Sequence, residues 1–193
     1  METLSKLFGS ETKVKIMRLF LFNPETFFEI GSIADRVKSG QRDVNREVLN
    51  LENAGLIRRK KNHNSRRNSF CLNPQFSYLA PLQNFLINVE PFKSKELIKR
   101  IGKLGAVKLI VISGVFMKEL ESRADILIVG DHIKKSSLDN TIKKLESEIG
   151  KELRYVCFSI EDFKYRLSMF DKLIRDILDY PHKKILNRLG ILE

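Results

Sequence analysis

The stretch from residue 12 to residue 72 places three short helical patterns before a basic hairpin, and it constrains the fold of this 193-residue chain most strongly. The first pattern, 14–22, ends at Asn23-Pro24, because proline cannot continue a helix. The next two patterns repeat apolar residues at intervals of three and four, which places them on one buried face of each helix. These positions are Ile30, Ile33, Ala34 and Val37 in the second helix, and Val44, Val48 and Leu51 in the third. Gly55 is expected to end the third helix as a left-handed cap.

The segment after this cap predicts two β-strands joined by a polar tip. Residues 58–61 and 68–72 are expected to pair, with 62–67 between them. From Leu56 to Asn73 there are six basic residues and no acidic one. A hairpin of this charge after three helices is typical of a winged helix-turn-helix, which lays its third helix in the DNA major groove. The hairpin, or wing, would then rest on the adjacent DNA backbone.

The outward positions of the third helix carry side chains that can read bases. Arginine can bond the major-groove edge of guanine, and asparagine or glutamine that of adenine. The candidate base-reading residues are Gln41, Arg42, Asn45 and Arg46. The basic side chains of the wing suit phosphates, which position a protein without reading sequence. These candidates are Arg58, Arg59, Lys60, Lys61, Arg66 and Arg67. The alternative for both sets is a solvated polar surface that contacts no nucleic acid.

Charge and composition favour a polyanionic partner. The formal net charge is +11 and the isoelectric point is about 9.7, a balance that suits nucleic acid or an anionic surface. The two cysteines, Cys71 and Cys157, lack the spacing of a zinc site or a disulfide framework, and we expect buried free thiols. The longest apolar run, 109–112, is far shorter than the ~20 residues of a membrane helix. A cytoplasmic protein without a membrane contact is expected.

The first half of the chain resembles the winged helix-turn-helix of arsenical-repressor-type regulators. The residues that carry the resemblance are 33–37 (IADRV) and 44–57 (VNREVLNLENAGLI), which follow the family's skeleton without gaps. Lys38 and Ser39 stand where the family's turn has a glycine and an apolar residue, and Gly40 stands at the usual Ser or Thr cap. The metal-binding cysteines of the family's metal sensors are missing here, so neither a metal site nor a cofactor is implied.

The second half of the chain predicts a separate α/β unit. After a helix at 94–103, two strand patterns at 106–115 and 123–129 precede an amphipathic helix at 135–149, and a third strand at 153–160 precedes a second amphipathic helix at 163–178. This order predicts a mixed sheet covered by helices. The expected fold class is α+β, with a winged helix-turn-helix over 1–75, a linker helix over 76–93 and the α/β domain over 94–193.

Residues 107–131 resemble the core of polymerase-β-like minimal nucleotidyltransferases. That family carries a Gly-Ser turn, an Asp-x-Asp pair and a third carboxylate, because its chemistry holds two metal ions. Here the turn is reversed as Ser113-Gly114, Asp125 takes the second carboxylate position, and Arg123 replaces the first. A fixed positive charge at a magnesium-ligand position opposes metal binding. We therefore expect a degenerate domain with no catalytic residues, no bound metal and no enzymatic activity.

Nearly the whole chain resembles a bacterial family that joins these two domains and acts in transcription regulation, on the evidence of residues 113–116, 124–131 and 170–182. The resemblance implies double-stranded DNA as the partner. The second domain would serve dimerisation, a protein partner or ligand binding. An apolar stripe suggests the homodimer: Phe163, Leu167, Phe170, Leu173, Ile174 and Ile177. The alternatives are an active nucleotidyltransferase and an antitoxin-like or scaffold module that binds protein.

Overall fold

The computed structural model describes residues 2–61, 68–87, 92, 94–119 and 122–190. The fold is α+β, and the chain divides into two compact units. The first unit contains 1–91 and 144–152, and the second contains 92–143 and 153–193. The domain boundaries expected from the sequence stay a prediction.

The first unit combines short helices with a small antiparallel sheet. Its helices are α1 (Glu2–Phe8), α2 (Glu11–Phe22), α3 (Ile30–Val37), α4 (Gln41–Asn53) and α5 (Leu79–Leu86), and its strands are β1 (Phe28–Glu29), β2 (Ile57–Lys61) and β3 (Asn68–Leu72). The strand order is β1-β3-β2. Helix α1 was not expected from the sequence. Within 76–87, the continuous described part of the predicted linker helix 76–93, the helix is α5, Leu79–Leu86.

The apolar periodicity of α3 and α4 correctly predicts their inner faces. Ile33, Ala34 and Val37 of α3 are buried, as are Val44, Val48 and Leu51 of α4, and all six belong to one hydrophobic core. Ile30, which was also expected on the buried face, is only partly buried against that core. Gly55 follows α4 with φ +82°, the left-handed conformation expected of it. The turn between the two helices has no glycine at its left-handed position, which Lys38 adopts instead with φ +54°. Gly40 caps α4 without a side-chain hydrogen bond.

Segment 144–152 is part of the first unit and is held by polar side chains of α2 and the residue after it. Buried Arg18 donates from Nε to the Leu86 carbonyl at 3.1 Å and from Nη1 to the Glu148 carbonyl at 2.9 Å. Asn23 donates to the Gly150 carbonyl at 2.9 Å. Gly150 has φ +90°, and a Cβ there would lie 2.5 Å from the backbone carbon of Arg18. A side chain at position 150 would therefore separate the two segments.

The second unit is built on a mixed four-stranded sheet of order β6-β5-β4-β7. Its strands are β4 (Ala106–Ile112), β5 (Ile126–Asp131), β6 (Tyr155–Phe158) and β7 (Lys183–Asn187), and its helices are α6 (Ser94–Ile101), the first part of α7 (Lys135–Ile149), α8 (Ile160–Ser168) and α9 (Lys172–Asp179). Strand β5 is parallel to β6, whereas β4 is antiparallel to both β5 and β7. This agrees with the mixed sheet expected from the sequence.

Three elements of the second unit differ from the sequence expectation. The strand predicted to extend to residue 115 ends at Ile112, and a 3-10 turn follows at Gly114–Phe116. The helix predicted over 163–178 is two helices, because Phe170 adopts φ +53° and Asp171 caps α9 by accepting from the amides of Leu173 and Ile174. Strand β7 was not predicted at all.

The apolar stripe of α8 and α9 packs mainly inside the second unit. Phe163, Ile174 and Ile177 are buried in its core, and Leu167 and Leu173 are partly buried against that core. Phe170 is 76% exposed. Helices α8 and α9 thus use most of the stripe to cover their own sheet. The stripe therefore gives dimerisation no support, and the homodimer stays a prediction.

Candidate nucleic-acid interface

Helix α4 presents all four candidate base-reading side chains to solvent. Gln41, Arg42, Asn45 and Arg46 are exposed, while Val44, Val48 and Leu51 anchor the opposite face in the core. The helix is therefore amphipathic, with an apolar face buried and a polar face exposed. The role of these four side chains in base reading stays a prediction.

A groove of about 550 Å³ lies between α4 and the wing. From α4 it is lined by Gln41, Asn45 and Leu49, which are four residues apart and so form one stripe. The other lining residues are Glu29, Ile30 and Gly31 at the start of α3, and Arg59, Asn68 and Phe70 on the wing. The structure thus brings two of the candidate base-reading residues together with one wing arginine.

Leu49 is an exposed apolar side chain within this polar surface, and the sequence reasoning missed it. It is 39% exposed and follows Asn45 by one helical turn. The spacing of Val44, Val48 and Leu51 places position 49 outside the core face of α4. This spacing alone could have predicted that Leu49 is exposed. In the major groove the apolar group that a base presents is the thymine methyl, so a leucine there can contribute to recognition.

The strand pairing divides the basic residues of the wing between two faces. Cross-strand partners share a face, and neighbouring residues alternate. Arg59 pairs with Phe70, whereas Arg58 pairs with Cys71 and Lys60 pairs with Ser69. Arg59 therefore lies on the face that lines the α4 groove, while Arg58 and Lys60 lie on the other face.

The charged groups of the wing also have partners in the protein. Arg59 donates from Nε and Nη2 to the two oxygens of Glu52 at 3.0 and 2.7 Å, and its guanidinium lies 5.4 Å from the Phe70 ring centre. On the other face, Arg58 Nε donates to Cys71 Sγ at 3.4 Å, and Lys60 Nζ lies 4.7 Å from the Phe27 ring. Arg66, Arg67 and the side chain of Lys61 lie outside the described residues.

Arg42 and Arg46 differ in their surroundings although they lie one turn apart on α4. Arg46 Nη2 is 3.2 Å from Asp43 Oδ1 and 3.4 Å from Glu47 Oε1. Among the described residues, Arg42 has neither a hydrogen bond nor an ion pair. Arg42 is therefore the arginine of α4 that can meet an external acceptor without first releasing a carboxylate.

Glu47 is a buried carboxylate in the middle of α4. It is 3% exposed, and Oε2 accepts from Asn50 Nδ2 at 3.2 Å and lies 3.5 Å from Lys13 Nζ. Burial raises the pKa of Glu47, but hydrogen bonds from Asn50 and Ser10, the charge of Lys13 and the bond from Arg46 outweigh it, so the pKa is lowered. The carboxylate stays ionised and accepts from its neighbours.

Ser113 and Asp125, two of the residues that resemble nucleotidyltransferase positions in the sequence, are bound by neighbouring protein groups of the second unit. Asp125 is 2% exposed; its Oδ1 accepts from the Val115 amide and its Oδ2 from the Arg154 amide, both at 2.8 Å. Gly114 has φ +53°, and a Cβ there would clash with Asp125 Oδ1. Buried Ser113 bonds to the Ala124 carbonyl and the Ser122 hydroxyl.

Arg123, which the sequence resemblance aligned with the first metal ligand of the nucleotidyltransferases, forms an ion pair in the structure. Its Nε lies 2.6 Å from Asp176 Oδ2. Within the residues that the structure describes, no three His, Cys, Asp or Glu side chains gather in a way that could hold a metal ion. The carboxylate of Asp125 therefore serves the backbone of the 3-10 turn and the residue just before β6.

Two further findings concern the thiols and the membrane. Cys71 is buried as expected, but Cys157 is exposed, so the expectation for Cys157 was wrong. Strand β6 lies at an edge of the sheet, and its four residues are half-buried or exposed. Among the described helices, none has the length and apolar character needed to cross a bilayer.

Comparisons with known proteins do not assign a function to this chain. No protein-family model matches the chain, and no curated protein matches it. A solved structure, a cysteine-to-serine mutant of Lactococcus lactis ZitR, matches with a TM-score of 0.33 and 19% identity over 49% of this chain and 68% of that chain. Similarity at this level carries no argument about function.

Proposed function

We propose that this protein is a sequence-specific double-stranded DNA-binding transcription regulator. Helix α4 would be the recognition helix that enters the major groove, and the wing formed by β2 and β3 would lie on the adjacent backbone. The single observation that carries the proposal is the exposed polar face of α4, which shares one groove with the wing. The net charge of +11 supports a polyanionic partner.

The residue environments support separate roles within this interface. Arg42 and Asn45 are exposed on α4; the arginine has donors for the guanine edge, and the asparagine has a donor and an acceptor for the adenine edge. Arg58 and Lys60 belong to the wing and have no acidic partner among the described residues, so they suit phosphates. Arg59 is neutralised by Glu52 and would position the wing rather than contact phosphate.

The direct test is selection of bound duplexes from a random double-stranded DNA pool at physiological salt. An enriched motif is expected, and a palindromic motif would indicate a two-fold dimer. The double variant Arg42→Ala/Asn45→Ala should lose the motif. Lys164→Ala/Lys172→Ala, which removes two exposed lysines of the second unit, is the matched control and should retain it. If the wild-type protein binds DNA but enriches no motif, sequence-specific regulation is excluded.

The second unit is proposed to be non-catalytic. Both oxygens of Asp125 are bound by backbone amides, and Arg123 is paired with Asp176. Two-metal nucleotidyl transfer needs carboxylates free to bind the ions. Incubation with each labelled nucleotide and Mg²⁺ or Mn²⁺ should therefore yield no product. A labelled product that the wild-type protein forms and Asp125→Ala does not form would instead establish nucleotidyltransferase activity.

A further inference from the structure

We propose that Asn50 is a further base-reading residue, specific for adenine, and that the buried carboxylate of Glu47 is the residue that positions it. This inference rests on the proposed DNA-binding function of α4. Asn50 is exposed on α4, one turn after Arg46, and donates from Nδ2 to Glu47 Oε2 at 3.2 Å. Neither residue was among the candidates from the sequence.

The burial of Glu47 calls for an explanation beyond packing. A buried charge is costly, and well-packed apolar side chains often replace buried ion pairs without loss of stability. Glu47 is 3% exposed, and Val44 and Val48 on the same helix belong to the hydrophobic core of the first unit. The carboxylate is therefore better explained by the groups that it holds in place.

Glu47 is fixed to the scaffold as well as to its own helix. Its Oε2 lies 3.5 Å from Lys13 Nζ of α2, and Ser10, which caps α2, also bonds to it. The position of the carboxylate therefore follows the packing of α2 against α4. A side chain of α4 that bonds to Glu47 is held relative to the whole unit.

The bond to Glu47 determines the orientation of the Asn50 amide. An ionised carboxylate only accepts hydrogen bonds, so the NH₂ group of Asn50 must face it, and the reversed amide would place two acceptors together. Asn50 retains its Oδ1 acceptor and its second N–H donor. This pair matches the N6 donor and N7 acceptor of adenine in the major groove.

The same carboxylate also restrains Arg46. Arg46 Nη2 lies between Glu47 Oε1 and Asp43 Oδ1, so two adjacent exposed side chains, Arg46 and Asn50, share one buried anchor. An oriented side chain loses less conformational freedom when it binds, which favours discrimination between bases. Loss of Glu47 should therefore reduce base preference more than overall affinity.

The test begins with the motif that the wild-type protein selects. Asn50→Ala should lose discrimination for adenine at one motif position by about 5- to 150-fold, the range for one bidentate contact. Replacement of that adenine by 7-deazaadenine removes the N7 acceptor, and replacement by purine removes the N6 donor. Each replacement should weaken DNA binding by the wild-type protein but not by Asn50→Ala. Retained preference in Asn50→Ala would overturn the assignment of Asn50.

Glu47 is tested with two variants whose folding is checked by circular dichroism. Glu47→Gln frees the amide orientation, and Glu47→Asp keeps the charge but is one methylene too short to reach Asn50. Each variant should lower the adenine preference at the motif position where Asn50→Ala loses it. The affinity of each variant for non-specific DNA should stay within about twofold of the wild-type value. In the Asn50→Ala background, neither should cause a further loss at that position.

The matched control is Asp35→Asn, which removes one negative charge from the exposed surface of α3. It should leave the adenine preference unchanged. If Glu47→Gln and Glu47→Asp weaken binding to all sequences equally and retain the preference, Glu47 has only a structural role. If the wild-type protein selects no motif, the proposed function itself fails. That result differs from a failure of the Asn50 or Glu47 assignment, in which the wild-type protein selects a motif and the variants keep its adenine preference.

Discussion

Arg59 of the wing and Glu52 of α4 form a two-point ion pair, with N···O distances of 3.0 and 2.7 Å. An arginine edge that bonds a carboxylate in this way is unavailable to phosphate. The pair joins strand β2 to the last turn of α4, so the wing and the proposed recognition helix are connected by charge as well as by the core. Glu52, an acidic residue beside the proposed interface, therefore has a positioning role.

Glu52→Gln should release Arg59 for a phosphate contact. We expect the dependence of log K on log salt to become steeper by about 0.9, the value for one added phosphate contact. The measurement is a fluorescence anisotropy titration of a fixed duplex at several salt concentrations. Glu96→Gln, which breaks a comparable ion pair in α6 of the second unit, is the control and should leave the slope unchanged. An unchanged slope in Glu52→Gln would show that Arg59 does not reach phosphate.

Leu49 is predicted to contact a thymine methyl. Replacing the contacted thymine by deoxyuridine removes one methyl group, and the lost burial should weaken wild-type binding about fourfold. The measurement is a scan in which each thymine of the selected motif is replaced in turn. In Leu49→Ala, the same replacement should have no effect at that position. Equal sensitivity of both proteins at every thymine would exclude this contact.

Asp125→Asn is predicted to destabilise the second unit without any involvement of metal. The amide presents only one acceptor oxygen to the two backbone donors of Val115 and Arg154, so one partly buried hydrogen bond is lost, at a cost of about 1–3 kcal/mol. Urea unfolding should show this loss equally with and without MgCl₂. Asp179→Asn, at an exposed ion pair, should change stability by less than ~0.5 kcal/mol. Stabilisation of the wild-type protein by Mg²⁺ that is lost in Asp125→Asn would contradict the structural role.

Gly114→Ala should cost more than the same change at Gly190, although both glycines have positive φ. A Cβ at position 114 would clash with Asp125 Oδ1, whereas nothing lies within 4 Å of one at position 190. Backbone strain alone should cost about 1 kcal/mol at Gly190, and the clash adds to it at Gly114. Free energies of unfolding from urea titrations compare the two. Equal losses would show that Asp125 can move aside.

The contribution of the Glu47 carboxylate to the stability of the fold should depend on pH. Its pKa is lowered in the folded protein from the ordinary value of 4.5. Such a carboxylate stabilises the fold above the unfolded pKa, and this contribution disappears as the pH falls through the lower folded pKa. The difference in unfolding free energy between the wild-type protein and Glu47→Gln should therefore shrink below pH 4.5. A difference independent of pH would contradict the lowered pKa.

Apolar spacing was sufficient to predict the inner faces of α3 and α4, because three- and four-residue intervals specify a helical face whatever packs against it. The paired wing strands were also predictable, since Gly55 and the basic run marked their boundaries. Prediction failed at Phe170 and at β7. A residue with φ +53° breaks an otherwise continuous helical stripe. No residue of β7 is fully buried, so its sequence lacks the alternation of a half-buried strand.

The sequence by itself determined which apolar residues anchor α4 in the core and which half of the chain carries the wing, since local periodicity and local charge decide both. Only the tertiary structure decided what those charges contact. Arg59 meets Glu52, Glu47 meets Lys13 and Asn50, and Asp125 meets the amides of Val115 and Arg154. The physical reason is that hydrogen bonds and ion pairs act over a few ångströms, whereas a partner such as Arg154 lies 29 residues from Asp125 along the chain.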